Sequence, residues 1–134
     1  MNQFTNNLEF ARHLEERIEV FGEEIIAFCK TLNQDAISRP IISQLVRSST
    51  SIGANYMEAN SACSLKDFKN KIYICKKESQ ETKHWLRMIT QYFPEKIYEI
   101  NSLKNECQEF ILIFQTATST LQKDDSQKNI TITD

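Results

Sequence analysis

The chain has 134 residues, 40% of them hydrophobic and 25% charged, with a net charge of −2. That length fits one domain whose core needs no covalent staples, and the charge excludes a globally basic nucleic-acid binder, though not a local basic face. No apolar run approaches the ~20 residues of a membrane span, and no signal-peptide pattern opens the chain. The four cysteines, Cys29, Cys63, Cys75 and Cys107, form no CxxC pair, and three fall at apolar helical positions. They read as small core residues of a reduced, cytoplasmic protein, with no disulfide framework, metal site or cofactor expected. Two glycines and two prolines imply long helices joined by short loops.

A first helix is predicted from Glu9 to Leu32, because Leu14, Ile18, Phe21, Ile25 and Phe28 recur at spacings of four and three. Gly22 weakens its middle and offers a place for close helix contact. A second helix is expected to open near Ser38, a candidate cap, with Pro40 in its first turn. Its apolar and small face runs through Ile41, Ile42, Leu45, Val46, Ser49, Ile52 and Tyr56. The run from Ser48 to Ala54 has poor intrinsic propensity, so a break near Gly53 is the competing reading.

A third helix starts clearly. Ser64 stands three residues before Asp67, a capping-box spacing, and Phe68, Ile72, Cys75, Ser79, Thr82, Leu86 and Ile89 follow as one stripe. A fourth helix opens around Pro94 and carries Ile97, Ile100, Leu103 or Lys104, Cys107, Phe110, Ile111, Phe114, Ala117 and Leu121. Residues 1–122 are read as the bundle domain and residues 123–134 as a disordered polar tail. Four stripes that cannot be hidden alone predict an all-α, antiparallel four-helix bundle with short loops.

Charge is segregated. Residues 64–90 hold seven basic and three acidic side chains, an excess of +4, against nine and fifteen elsewhere, an excess of −6. On a helical wheel Lys66, Lys69, Lys76, Lys77, Lys83 and Arg87 share an arc of about 120°, with Asp67, Glu78 and Glu81 on the other flank. This arc is a solvated lysine face or a surface for phosphates or an acidic protein. Tyr56 and Tyr73 are half-buried packing residues or stacking partners for nucleotide bases. Arg47, Asn55 and Glu58 are polar residues amid small side chains, expected as a register-fixing network or a partner contact. Ile74 and Trp85 widen the apolar surface beyond one partner helix and mark a candidate oligomer interface. His13 and His84 lack ligand spacing, Ser48, Ser49 and Ser51 lack an adjacent base, and Glu81 with His84 gives only one Glu-x-x-His unit. The reading is therefore no enzyme, no catalytic residues and no metal.

The stretch from Gln44 to Ala59, with Arg47, Ser48, Ser49, Ile52, Asn55 and Glu58 in that order, resembles the central motif of the 23S rRNA intervening-sequence (S23) family. Ser64 to Phe68 and Glu78 to Leu86 resemble that family's third-helix pattern. The family's arginine, asparagine and glutamate correspond to Arg47, Asn55 and Glu58. The resemblance implies a bacterial four-helix bundle, a homo-oligomer and specifically a pentamer, without cofactor or established enzyme activity. It also implies similarity to the accessory protein of diversity-generating retroelements, a barrel-like homopentamer with a basic surface proposed to engage nucleic acid and a reverse transcriptase. Gly53 stands where many relatives have proline, and Ala59 where a glycine commonly follows the glutamate. The expected function is a homo-oligomeric scaffold or accessory binding module. The alternative is RNA or DNA binding through the third helix; a protein partner is a further reading, and no membrane is involved.

Overall fold

In a computed structural model of the chain, residues 3–133 are described, with side chains from residue 7 to residue 123. Four helices run up and down, α1 (Gln3–Lys30), α2 (Ser38–Asn60), α3 (Leu65–Tyr92) and α4 (Ile97–Thr133), and a single 3-10 turn (Pro94–Lys96) leads into α4. There is no strand among the described residues. Among the described residues no helix is long and apolar enough to cross a membrane.

Most of each predicted stripe is core, while Ile41, Val46, Phe68 and Ala117 are only partly buried against it, and on α4 Ile113 rather than Ile111 packs there. Leu14, Ile18, Phe21, Ile25 and Phe28 of α1 are buried, as are Ile42, Leu45, Ile52 and Tyr56 of α2. Ile72, Cys75, Leu86 and Ile89 of α3 meet Ile100, Leu103, Cys107, Phe110 and Phe114 of α4 in the same cluster. Leu103, not Lys104, occupies the inward position. Phe21 and Phe110 meet edge to face at 5.3 Å between ring centroids. A pair in that geometry adds about 1 kcal/mol beyond its area burial.

α2 and α3 form the closest seam, and its residues explain why. Ser48, Ser49 and Gly53 on α2 and Ser79 and Thr82 on α3 are all buried. Side chains this small let two backbones approach, but each hydroxyl then needs a partner away from water. Ser79 Oγ donates to the Cys75 carbonyl at 2.8 Å, and the hydroxyls of Thr82 and Ser48 lie 2.9 Å apart across the seam. The Cys75 thiol faces the Ile52 carbonyl at 3.7 Å, and the Cys107 thiol faces the Ser79 carbonyl at 2.9 Å. α2 passes unbroken through Gly53, so packing overrides the weak propensity of its serine-rich run.

Helix ends follow local chemistry, with one correction. Ser64 caps α3 as expected, accepting from the Asp67 amide at 3.1 Å. At α2 the capping side chain is Asp35, whose carboxylate accepts from the amides of Ile37 and Ser38 at 3.0 and 2.8 Å. Ser38 Oγ instead reaches back to the Asp35 amide at 2.9 Å. These amide bonds hold the Asp35 carboxyl below the usual carboxylate range. At the far end α4 continues as helix to Thr133. Side chains after Lys123 lie outside the described residues, so the tail expected from residue 123 is described only as helical backbone.

The close helix contact expected at Gly22 is instead at Gly53. A Cβ on Gly22 would meet nothing within 4 Å, whereas one on Gly53 would come within 2.8 Å of the Glu19 carboxylate and 3.5 Å of Ile18. The close approach of α1 to α2 is therefore at Gly53. Gly22→Ala should raise unfolding stability by about 1 kcal/mol, the ordinary helix-interior difference. Gly53→Leu should lower it by about 2 kcal/mol through overpacking; urea titration followed by circular dichroism reads both.

Three thiols are sealed in the core. Burial pushes Cys29 up to about 11 and Cys75 and Cys107 up to about 12. A raised thiol pKa means the folded state holds its proton more tightly than the unfolded chain. Their contribution is thus fully present below pH 9 and is lost as pH rises from there through 11–12. Stability should fall over that window, and less steeply in Cys107→Ala. In native protein a thiol reagent should modify the exposed Cys63 quickly and the other three only on unfolding.

Candidate functional site

Every residue singled out for binding or register lies on α2 or α3, and the seam between them decides which way each side chain faces. Arg47, immediately before the small-residue run of α2, leans across onto α3. Its guanidinium spans Glu78 at 3.2 Å and Glu81 at 2.6 Å, while its Nε donates to Gln44 at 2.8 Å. Glu78 and Glu81 are one turn apart on α3, so a forked cation can bridge both carboxylates. The Arg47 guanidinium holds the Glu81 carboxyl below its ordinary range and is itself made harder to deprotonate. The Glu78 side chain is only 11% exposed, so this pairing is what makes its burial tolerable.

The single network expected among Arg47, Asn55 and Glu58 is instead three separate arrangements. Asn55 turns back to donate to the Ser51 carbonyl at 2.8 Å within α2. Glu58 pairs with Lys71 of α3 at 2.6 Å. Arg47 and Glu58 therefore cross-link α2 to α3 at two levels, through separate partners. Lys71 and Glu81, which sequence reasoning did not place in this set, are among those partners; positions on a second helix carry no signal in the first helix's spacing.

The six basic residues turn out from the bundle with different degrees of engagement. Lys83 donates to Gln108 of α4 at 2.7 Å, and Lys77 lies close enough to Glu81 to act on its carboxyl. Lys69 is also engaged. Lys66, Lys76 and Arg87 make no ion pair among the described residues. Glu78 and Glu81, on the opposite flank, are taken up by Arg47. Tyr73 stands exposed within the basic face, beside a shallow depression lined by Leu65, Lys66, Lys69 and Asn70. Tyr56, the other tyrosine considered for stacking, is only 5% exposed and belongs to the core.

Trp85 and Ile74 are not outstanding on the surface. Both are half-buried, and the indole packs against the chain's own core. The Trp85 Nε1 is buried without an acceptor, lying near Glu81 but outside hydrogen-bond geometry. The large apolar side chains that do stand out include Tyr98, at 88% exposed, and Leu112, at 54%. His13 and His84 are exposed. Among the described residues no group of three or more His, Cys, Asp or Glu side chains could hold a metal ion.

The sequence profile of the 23S rRNA-intervening sequence protein family matches residues 14–116. The chain belongs to that family. The matched span contains the whole α2–α3 seam, both cross-links and the basic face. A solved structure from Bacteroides thetaiotaomicron, a protein of unknown function from the S23 ribosomal protein family, is similar to it, with 30% identity and a TM-score of 0.71. The alignment covers 78% of this chain and 96% of that one. No curated protein matches the chain. The family thus accounts for the bundle, while the end of α4 and the start of α1 reach beyond the matched span.

Removing Arg47 tests the cross-link. Arg47→Met leaves the Glu78 carboxylate nearly buried and unpaired, and should cost about 1–2 kcal/mol of stability, discounted because the arginine is partly exposed. Adding Glu78→Gln should restore part of the loss. A double-mutant cycle that shows no coupling would mean the bridge contributes nothing.

Proposed function

We propose that this protein is a non-enzymatic, homo-oligomeric binding module that engages an anionic macromolecule through the outer face of α3. The observation that carries this reading is the uncompensated charge. Glu78 and Glu81 are turned into the seam by Arg47, whereas Lys66, Lys76 and Arg87 remain without ion pairs among the described residues. A face built this way attracts polyanions from a distance even though the whole chain is slightly acidic.

Tyr73 favours nucleic acid as the anionic partner. It stands among the lysines rather than beside them, and an exposed aromatic ring in a basic surface can stack on an unpaired base. Nothing in the arrangement reads base edges, so binding would follow backbone charge and single-strandedness rather than sequence. The assembly part rests on exposed apolar groups, which α4 supplies better than Ile74 or Trp85. Tyr98 and Leu112 lie about four turns apart on the outer side of α4, and a pentamer is the arrangement the family resemblance points to.

Labelled single-stranded RNA should bind at low salt and weaken steeply as salt rises. Changing Lys66, Lys76 and Arg87 together to Glu should reduce affinity at least tenfold, and Tyr73→Ala should reduce it severalfold with an unchanged salt slope. Absence of any shift at low salt would exclude the nucleic-acid reading. Sedimentation showing only monomer at micromolar concentration would remove assembly.

A further inference from the structure

Helix spacing leaves a second feature, apart from the exposed lysines of the basic face. α1 lies closer against α2 than against α4. Midway along, the space between α1 and α4 is filled by Phe21 against Phe110 and by Arg17, which pairs with Glu106 and places its guanidinium 5.4 Å from the Phe110 ring centroid. Toward the end of the bundle that holds the start of α1 and the later turns of α4, no such filler is present among the described side chains. There a cavity of about 540 Å³ opens between these helices and reaches inward to Leu14, Tyr56, Phe68, Ile72 and Phe114. All four helices contribute to its wall.

The wall is almost entirely carbon, but one polar pair is set into it. Tyr56 is 5% exposed, and its hydroxyl has only a long bond, 3.4 Å, to the Ala11 carbonyl. The Asn60 side chain lies against that hydroxyl and also lines the cavity. With Asn60 on its acceptor side, the hydroxyl has a donor that is held only weakly and can turn to a better acceptor inside the space. Phe10, 57% exposed, stands at the mouth, so apolar surface is held open to water at a cost. The volume falls within the range of small-molecule sites, about 300–1,000 Å³.

We propose that this cavity is a binding site for a small, mainly apolar molecule with one uncharged hydrogen-bonding head, the head meeting Tyr56 and Asn60. The uncharged head follows from the lining, in which no side chain is charged, so that a carboxylate would find no counter-ion there. An alcohol fits this chemistry; a carboxylate of the same chain length does not. The site is independent of α3's lysines, and its success or failure leaves the anion-binding face untouched.

The test uses the full chain and the fluorescent hydrocarbon-like probe N-phenyl-1-naphthylamine. The probe should bind saturably, one per chain, and decanol should displace it at a concentration at least tenfold below that needed for decanoate. Ala11→Phe and Ala117→Phe, each placing a ring in the cavity, should abolish probe binding while helical circular dichroism is retained. Tyr56→Phe should weaken decanol severalfold and leave the probe unaffected, which keeps the test decisive should either filled variant fail to fold. Absence of saturable binding, equal displacement by decanoate, or folded Ala117→Phe protein that still binds the probe would each overturn the proposal. So would a filled variant whose change is in oligomeric state, since the cavity would then be a seam between copies.

Discussion

The close seam between α2 and α3 is the constraint from which the rest of the molecule takes its orientation. Two helices can approach this far only if the facing side chains are small, and small side chains that are also hydroxyls must be satisfied locally. Ser79 does this with the carbonyl one turn back, and Thr82 and Ser48 do it with each other and with nearby carbonyls. The seam thus gives up apolar area for proximity and recovers the loss as dispersion and hydrogen bonds. Once the two helices are this near, Arg47 is long enough to cover Glu78 and Glu81, and Lys71 to reach Glu58. The rotation of α3 about its own axis is then settled, and its lysines have only one direction left to face.

A slightly acidic protein presents a basic face because its acids are distributed by role. Glu78 and Glu81 neutralise Arg47 at the seam, Glu58 holds Lys71, and Glu106 pairs with Arg17 across the α1–α4 space. A further group, Glu16, Glu19, Glu23 and Glu24 among them, lies on the exposed side of α1. With four glutamates each held by a specific cation, much of the charge on α3's outer face goes uncancelled at short range. The two candidate surfaces also differ in kind. One is polar and contained in the span shared with the family; the other is apolar, concave and reaches positions on both sides of that span.

Much of the fold is legible in the spacing of apolar residues, because a buried stripe must repeat at the period of the helix whatever its neighbours are. Ser64 is equally plain, since a cap acts on amides three residues away. Asp35 escapes notice because Ser38 and Pro40 form the more familiar start pattern, and the carboxylate that does the capping precedes them. Gly22 and Gly53 look alike in a sequence; only the identity of the facing side chain, Glu19 in one case and nothing in the other, separates them. Arg47, Asn55 and Glu58 stand out together because they share a helix, yet their partners are set by a second helix or by the backbone. The cavity has no signature at all. It arises from the distance between two helices, and a list of apolar positions contains no distances.

The one-sided attachment of α1 has a consequence for how the molecule breathes. Its contacts are concentrated on α2, with a few aromatic and ionic bridges to α4. Detaching it would break fewer close helix-to-helix approaches than separating α2 from α3, and sub-global opening should begin there, below the free energy of complete unfolding. Amide hydrogens of α1 would exchange with solvent first, while those along the serine-rich stretch of α2 would be the last to go.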